Sequence, residues 1–196
     1  MKKLMMIAVL MMTALTVSAQ PGENKLTLKP FVGVNFATLA SDADAKTKTA
    51  FTAGAEAEFG TTGNLSTSLG LAYSQMGAKV KNTSYKWNLD YITLSILENY
   101  YLAQGFAVKA GIQGGLNIKK KMTDGSNSMD LNDIFANATP SGKIKSFDYG
   151  VVLGASYEFK GITLDARYYL GTFKILENYT DKNSVISVTL GYTFHL

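Results

Sequence analysis

From Leu26 onward the chain alternates apolar with polar residues, and the alternation falls into eight segments. The last runs from Ile186 to Leu196, where Ile186, Val188, Leu190, Tyr192, Phe194 and Leu196 share one parity and Ser187, Thr189, Gly191, Thr193 and His195 the other. A period of two sends successive side chains to opposite faces, so each segment predicts a strand with one apolar face. The other seven lie near Leu26 to Ala37, Ala50 to Phe59, Leu65 to Gln75, Tyr85 to Leu97, Gly105 to Ile118, Ser146 to Phe159 and Gly161 to Leu170. The fourth is the least regular, because Ile92, Leu94 and Ile96 compete with Leu89, Tyr91 and Leu97 for the apolar face. A bulge or a shared interior cluster would reconcile them.

The connections alternate as well. Long polar stretches (38–49, 76–84, 119–145 and 172–184) take turns with short ones (60–64, 98–104 and 160–161). Long loops outside the cell and short turns in the periplasm are the rhythm of an outer-membrane barrel with an even number of strands. The predicted fold is therefore all-β: an eight-stranded antiparallel up-and-down transmembrane β-barrel, closed on its final strand so that no edge is left unpaired.

Residue size decides which face looks outward. The polar faces carry Gly33, Gly54, Gly70, Gly111, Gly115, Gly150, Gly154, Gly171 and Gly191 with several serines and threonines. Eight strands enclose so little volume that small side chains belong inside. The apolar faces of the seven regular segments hold no charged residue, as a lipid-facing surface requires, since a charge near the bilayer midplane costs ~2–4 kcal/mol. A soluble lipocalin-like carrier, with the apolar face turned inward, would instead expose many Lys and Glu on the other face.

The N-terminal residues supply an address. Lys2 and Lys3 precede an apolar run from Leu4 to Val17 and the small-residue site Val17-Ser18-Ala19, the pattern of a cleaved secretory signal peptide over residues 1–19. A helix needs ~20 apolar residues to span a bilayer, which this run does not reach. The remaining domain, 20–196, begins at Gln20 and belongs in the outer membrane. Loss of Lys2 and Lys3 leaves 17 basic against 15 acidic side chains, a net charge of +2 that makes no case for nucleic acid. No later apolar run is long enough for a spanning helix, so any crossing must be made by strands.

Inward orientation brings Lys29, Glu56, Glu58, Lys109, Glu158, Asp165 and Arg167 into the lumen or its rims. Buried charges must pair, so these seven predict an ion-pair network that plugs the bore, with Arg167 as its hub because its fork can engage two carboxylates. The alternative is a narrow proton or ion path. Catalysis has little to work with. The chain has no cysteine and one histidine, His195, which falls at the periplasmic end of the last strand. No catalytic, cofactor or metal site is read, and the protein is not expected to be an enzyme.

Eleven of the 17 basic residues fall in the long connections and a twelfth, Lys86, stands beside one of them, against seven acidic residues. Within them Lys119, Lys120 and Lys121 are the candidates for contact with lipopolysaccharide phosphates in the outer leaflet.

Four motifs add a resemblance. Asn35-Phe36-Ala37-Thr38-Leu39 after Gly33, Leu89-Asp90-Tyr91-Ile92-Thr93-Leu94, Asp148-x-Gly150-x-x-x-Gly154 and Leu164-x-x-Arg167-Tyr168-x-x-Gly171 resemble the first, fourth, sixth and seventh strands of PorT-type outer-membrane β-barrel proteins. Ser95 stands where that family often has proline. The resemblance implies an eight-stranded outer-membrane barrel, and its namesake is associated with protein secretion.

The function expected is that of a small, monomeric outer-membrane barrel with a plugged polar lumen, acting at the cell surface in a structural or adhesion-type role through its long loops. The alternative is a narrow pore or a transport- or secretion-associated barrel. The expected partners are outer-membrane lipid, lipopolysaccharide, and an extracellular or secretion-machinery protein.

Overall fold

The computed structural model describes residues 25–40, 45–124, 127–130, 145–172 and 182–196. The leader read over residues 1–19 lies outside them. Eight strands form the wall: β1 (Leu26–Ala40), β3 (Lys48–Thr62), β4 (Leu65–Met76), β6 (Tyr85–Ala103), β7 (Phe106–Asp124), β9 (Phe147–Phe159), β10 (Ile162–Gly171) and β11 (Lys182–Tyr192). Four short strands, β2 (Ala45–Lys46), β5 (Lys79–Val80), β8 (Asn127–Asp130) and β12 (Phe194–His195), extend the sheet at its ends. Each wall strand pairs antiparallel with its sequence neighbour in the wall, and β11 pairs with β1 to close the ring. The eight alternating segments are these eight strands.

One circuit of hydrogen-bonded partners measures the barrel. The path Thr27, Glu58, Ser68, Leu97, Gly111, Val152, Tyr169, Val185, Ala37 returns to β1 ten residues beyond its start, from 27 to 37. For eight strands with ordinary rise and spacing, that stagger corresponds to a strand tilt of about 40° and a backbone radius of about 8 Å. Such a bore fills with side chains. In places the wall itself excludes a side chain: a Cβ on Gly111 would collide with the Ile96 carbonyl oxygen of the neighbouring strand.

Outside, apolar side chains form a continuous band that includes Val32, Leu71, Leu94, Ile112, Leu153 and Leu190, all exposed. Aromatic rings border it. Phe36, Phe51, Tyr149 and Tyr168 mark one rim, and Phe59, Tyr100, Phe106, Tyr157 and Phe159 the other. From Phe51 to Phe59 along β3 is about 20 Å of height at this tilt, close to the ~25 Å apolar band of an outer-membrane barrel. The turns at the second rim are tight. Lys160 and Gly161 both have positive φ (51° and 81°), the arrangement of a type I′ hairpin whose twist matches that of its strands.

Several boundaries differ from the sequence reading: β3 is longer at both ends, and the last segment is interrupted at Thr193, between β11 and β12. Alternation continues through Asn99 and Tyr101, so β6 reaches Ala103 and its turn shrinks to Gln104 and Gly105. This moves Glu98 from the predicted turn onto the outer face, where it accepts a hydrogen bond from Thr67 Oγ1 at 2.9 Å. It lies between Ile96 and Tyr100, near the rim, where a charge is tolerated far better than at the midplane. β1 and β11 run on to Ala40 and back to Lys182, and β7 continues past Ile118 to Asp124. These extensions stand beyond the apolar band, where a strand needs partners but no greasy face. The irregular fourth segment resolves in both of the ways open to it. The register shifts at Asp90/Tyr91, leaving Ile118 as the extra residue, and Leu89, Tyr91 and Leu97 turn inward into a buried cluster while Ile92, Leu94 and Ile96 face out.

Replacing Leu94 with Arg should destabilise the barrel by ~2–4 kcal/mol, measured by urea unfolding in lipid vesicles. A neutral outcome would mean that this face does not meet hydrocarbon.

Candidate functional site

Strand pleating aims every second residue into the bore, and four strands converge there on charge. Lys29 of β1 lies directly opposite Glu56 of β3, Asp165 and Arg167 share a face two residues apart on β10, and Lys109 reaches in from β7. Glu56 is fully buried. Its Oε1 accepts from Lys29 Nζ at 2.8 Å and Lys109 Nζ at 3.0 Å, and its Oε2 from Arg167 Nη2 at 2.5 Å. Asp165 takes the remaining donors. Oδ1 accepts from Arg167 Nε at 2.6 Å, and Oδ2 from Lys109 Nζ at 2.9 Å and Arg167 Nη2 at 2.8 Å. Three cations and two carboxylates thus tie β1, β3, β7 and β10 together across the lumen. Arg167 forks onto both carboxylates, yet all three cations lie within 3.0 Å of Glu56, whereas Lys29 stays 4.0 Å from Asp165.

Glu58 and Glu158 stand apart from this cluster, on the periplasmic side. Glu58 Oε1 accepts from Ser66 Oγ at 2.5 Å and Tyr101 OH at 2.6 Å instead of from a cation. Glu158 Oε2 accepts from Thr163 Oγ1 at 3.4 Å, and its buried Oε1 has no partner among the described residues. Both carboxylates lie near the turns, where the sheared register carries them away from the Lys and Arg of other strands. His195 pairs with Thr27 at the same end, far from the opposite mouth.

Toward that mouth the interior changes character. A cavity of about 40 Å³, lined by Thr52, Ala72, Ser74, Thr93, Ser95 and Ser187 among others, lies beyond Arg167. It has room for a water or two. Further out, Leu39, Met76, Leu89, Tyr91, Tyr169 and Val185 pack together with Trp87 and Met122 against them. Asn183 Nδ2 donates to Asp148 Oδ2 at 2.7 Å and to Tyr91 OH at 3.2 Å. Asn35 Nδ2 donates to Ser74 Oγ at 2.8 Å, and its Oδ1 accepts from Ser187 Oγ at 2.7 Å. Sequence reasoning reached only the fourth-strand part of this apolar stopper, as a shared interior cluster, and missed the contributions of the other strands. Its signal was present in the doubled apolar parity of the fourth segment and in Val152, Tyr169 and Val185, which fall on otherwise polar faces.

Lys119, Lys120 and Lys121 are not loop residues. All three belong to β7, and the first two already have partners: Lys119 Nζ lies 3.4 Å from Asp90 Oδ2, and Lys120 Nζ donates to Ser146 Oγ at 2.9 Å. Partial burial lowers the Lys120 pKa from the ordinary lysine value. Lys121 lies opposite Asp130 of β8. Lys48, also read as a loop residue, turns inward on β3 and donates to the carbonyl oxygen of Met76 at 3.0 Å.

The family model described as an outer membrane protein beta-barrel domain matches residues 18–177. Three solved structures share the fold. Ail, the attachment invasion locus protein of Yersinia pestis, aligns at 12% identity over 88% of this chain and 100% of its own, with a TM-score of 0.51. Neisserial surface protein A aligns at 14% identity over 86% and 97%, with a TM-score of 0.53. OprG from Pseudomonas aeruginosa aligns at 13% over 92% and 100%, with a TM-score of 0.50. No curated protein matches the sequence.

Removing Glu56 as Ala leaves three cations in the bore with one carboxylate, Asp165, to share, and takes from Lys29 its close partner. A loss of ~3–5 kcal/mol in unfolding free energy is expected, read from urea titrations in lipid vesicles, whereas Ser66→Ala should cost only about 1 kcal/mol. Equal effects would remove Glu56 from the centre of the network.

Proposed function

Because the chain belongs to the outer membrane protein beta-barrel domain family, we propose that it is a closed, non-conducting barrel of the outer membrane whose work is done at the cell surface by its long connections. The observation that carries the closed lumen is the contact of Glu56 with Lys29, Lys109 and Arg167, which fills the bore with paired charge. The packed side chains around Tyr91 and Tyr169 support a second barrier nearer the outer mouth. A cavity of about 40 Å³ between the two is too small for a solute.

The surface role draws on the asymmetry of the wall. At one end consecutive wall strands are joined by two-residue turns, whereas at the other the connections span residues 41–47, 77–84, 125–146 and 172–181. The fold neighbour from Yersinia pestis bears a name for attachment, and one structure of it holds a heparin analogue, which favours adhesion as the class of role. The closed ring leaves no wall edge for a second copy, which supports a monomer. The PorT-type motifs keep a secretion-associated barrel as the second reading. A single histidine at the periplasmic end and the lack of cysteine speak against catalysis. Outer-leaflet lipopolysaccharide is the partner the basic outer rim suits, and an extracellular protein the partner the connections suit.

In planar bilayers the purified protein should show no conductance above the lipid baseline. Steady ohmic channels that disappear in Arg167→Ala would replace this reading with the narrow pore. Displayed on a non-adherent host strain, the protein should raise attachment to matrix-coated surfaces. Deletion of residues 131–144 should abolish that gain without changing outer-membrane content, and attachment that survives the deletion would assign adhesion elsewhere.

A further inference from the structure

Above the aromatic rim near Phe51, the sheet continues as the strip β2–β5–β6–β7–β8, and its register sets lysines side by side. Lys46 of β2 pairs with Lys79 of β5, and Lys79 pairs with Lys86 of β6. Residues directly opposite share a face with Cβ atoms about 5 Å apart, and like charges so placed are destabilising. All three lysines are exposed, and among the described residues none forms an ion pair, whereas neighbouring Lys119 engages Asp90. The row continues through Thr123 of β7 and Ser128 of β8, so hydroxyl groups prolong a line of ammonium donors. The acidic side chains on this face are already engaged or offset. Asp90 accepts from Tyr73 OH at 2.8 Å beside Lys119, and Asp130 lies opposite Lys121 in the next row.

The direction and height of the row select its occupant. Trp87 and Met122 pack inward against the buried cluster, so Lys86 and Thr123, one residue away, face out from the wall. Lys86 stands six residues beyond Ile92, an exposed apolar residue of the outer band, or about 15 Å higher at the strand tilt. Each step along the row toward Lys46 descends about 3 Å, which brings it closer to the membrane. The row thus overhangs the headgroup layer from the side of the barrel instead of crowning its mouth.

We infer that Lys46, Lys79 and Lys86 form a binding row for phosphate groups of an outer-leaflet lipid, lipopolysaccharide in an outer membrane. Phosphate relieves the mutual repulsion of the three ammonium groups and supplies acceptors to all of them. The site rests on outer-membrane placement and is independent of whether the lumen conducts.

The test compares binding of detergent-solubilised protein to lipopolysaccharide, to its dephosphorylated form, to inorganic phosphate and to a heparin fragment. Wild type should bind phosphorylated lipopolysaccharide at least tenfold more tightly than each of the others, with a preference that weakens as salt rises. K46Q/K79Q/K86Q should lose that preference, and Lys79→Gln, at the centre of the row, should lose several-fold. In phosphatidylcholine vesicles without lipopolysaccharide, both variants should unfold at the wild-type urea concentration or higher, because a repulsion has been removed. A preference retained by the triple variant overturns the site. Equal binding of the dephosphorylated form or of inorganic phosphate overturns the lipid phosphate as its ligand, and tighter binding of the heparin fragment reassigns the row to a soluble polyanion.

Discussion

The hydrogen bonds between β11 and β1 close the sheet into a ring, and in a membrane that closure is obligatory. Hydrocarbon offers no partner to a peptide group, so every N–H and C=O in the membrane must be satisfied within the sheet. Eight strands meet that demand only when β11 returns to β1, and they do so with a stagger of ten residues, from Thr27 to Ala37. Strand number and stagger together set the tilt and the radius. The narrow bore, the small residues that line it and the charges that must find partners inside it all follow.

The interior answers that demand in layers. Near the periplasmic turns Glu58 is held by Ser66 and Tyr101, at the centre three cations and two carboxylates pair around Glu56, and toward the mouth tyrosines and aliphatic side chains pack as they would in a soluble core. A buried ion cluster is seldom a net gain in stability over apolar packing, because desolvation offsets much of the attraction. Its effect here is to specify register: Lys29 and Glu56 meet only if β1 and β3 pair as they do, and Arg167 reaches both carboxylates only if β10 takes its place across the bore. Slippage by one residue would turn those charges toward lipid.

The same ring divides the surface between two solvents. Between the aromatic rims the outer wall is shaped by hydrocarbon, with Glu98 placed near the boundary where its charge is tolerated. Beyond the upper rim the sheet continues into water, freed from the need for apolar residues. Polar strands such as the end of β7 and the short β2, β5 and β8 become possible, and with them rows of like charge that no single strand contains.

Much of this was readable from order alone. Alternation is a property of each strand by itself, so the number of strands, their apolar faces and the inward set Lys29, Glu56, Lys109, Asp165 and Arg167 follow from parity. What lay beyond reach was whatever depends on register, which is non-local. Parity could not say that Glu58 would meet Tyr101 in place of a cation, nor that Lys46, Lys79 and Lys86, dispersed over three strands, would stand in one row. Nor could it find the ends of strands outside the bilayer, because water imposes no period: Lys119 to Lys121 look like loop and are strand. Which face of each strand meets lipid follows from residue order, because the cost of placing a group in hydrocarbon acts residue by residue. Which side chains share the bore and the rim follows from closure of the ring, because its stagger sets every pairing between strands.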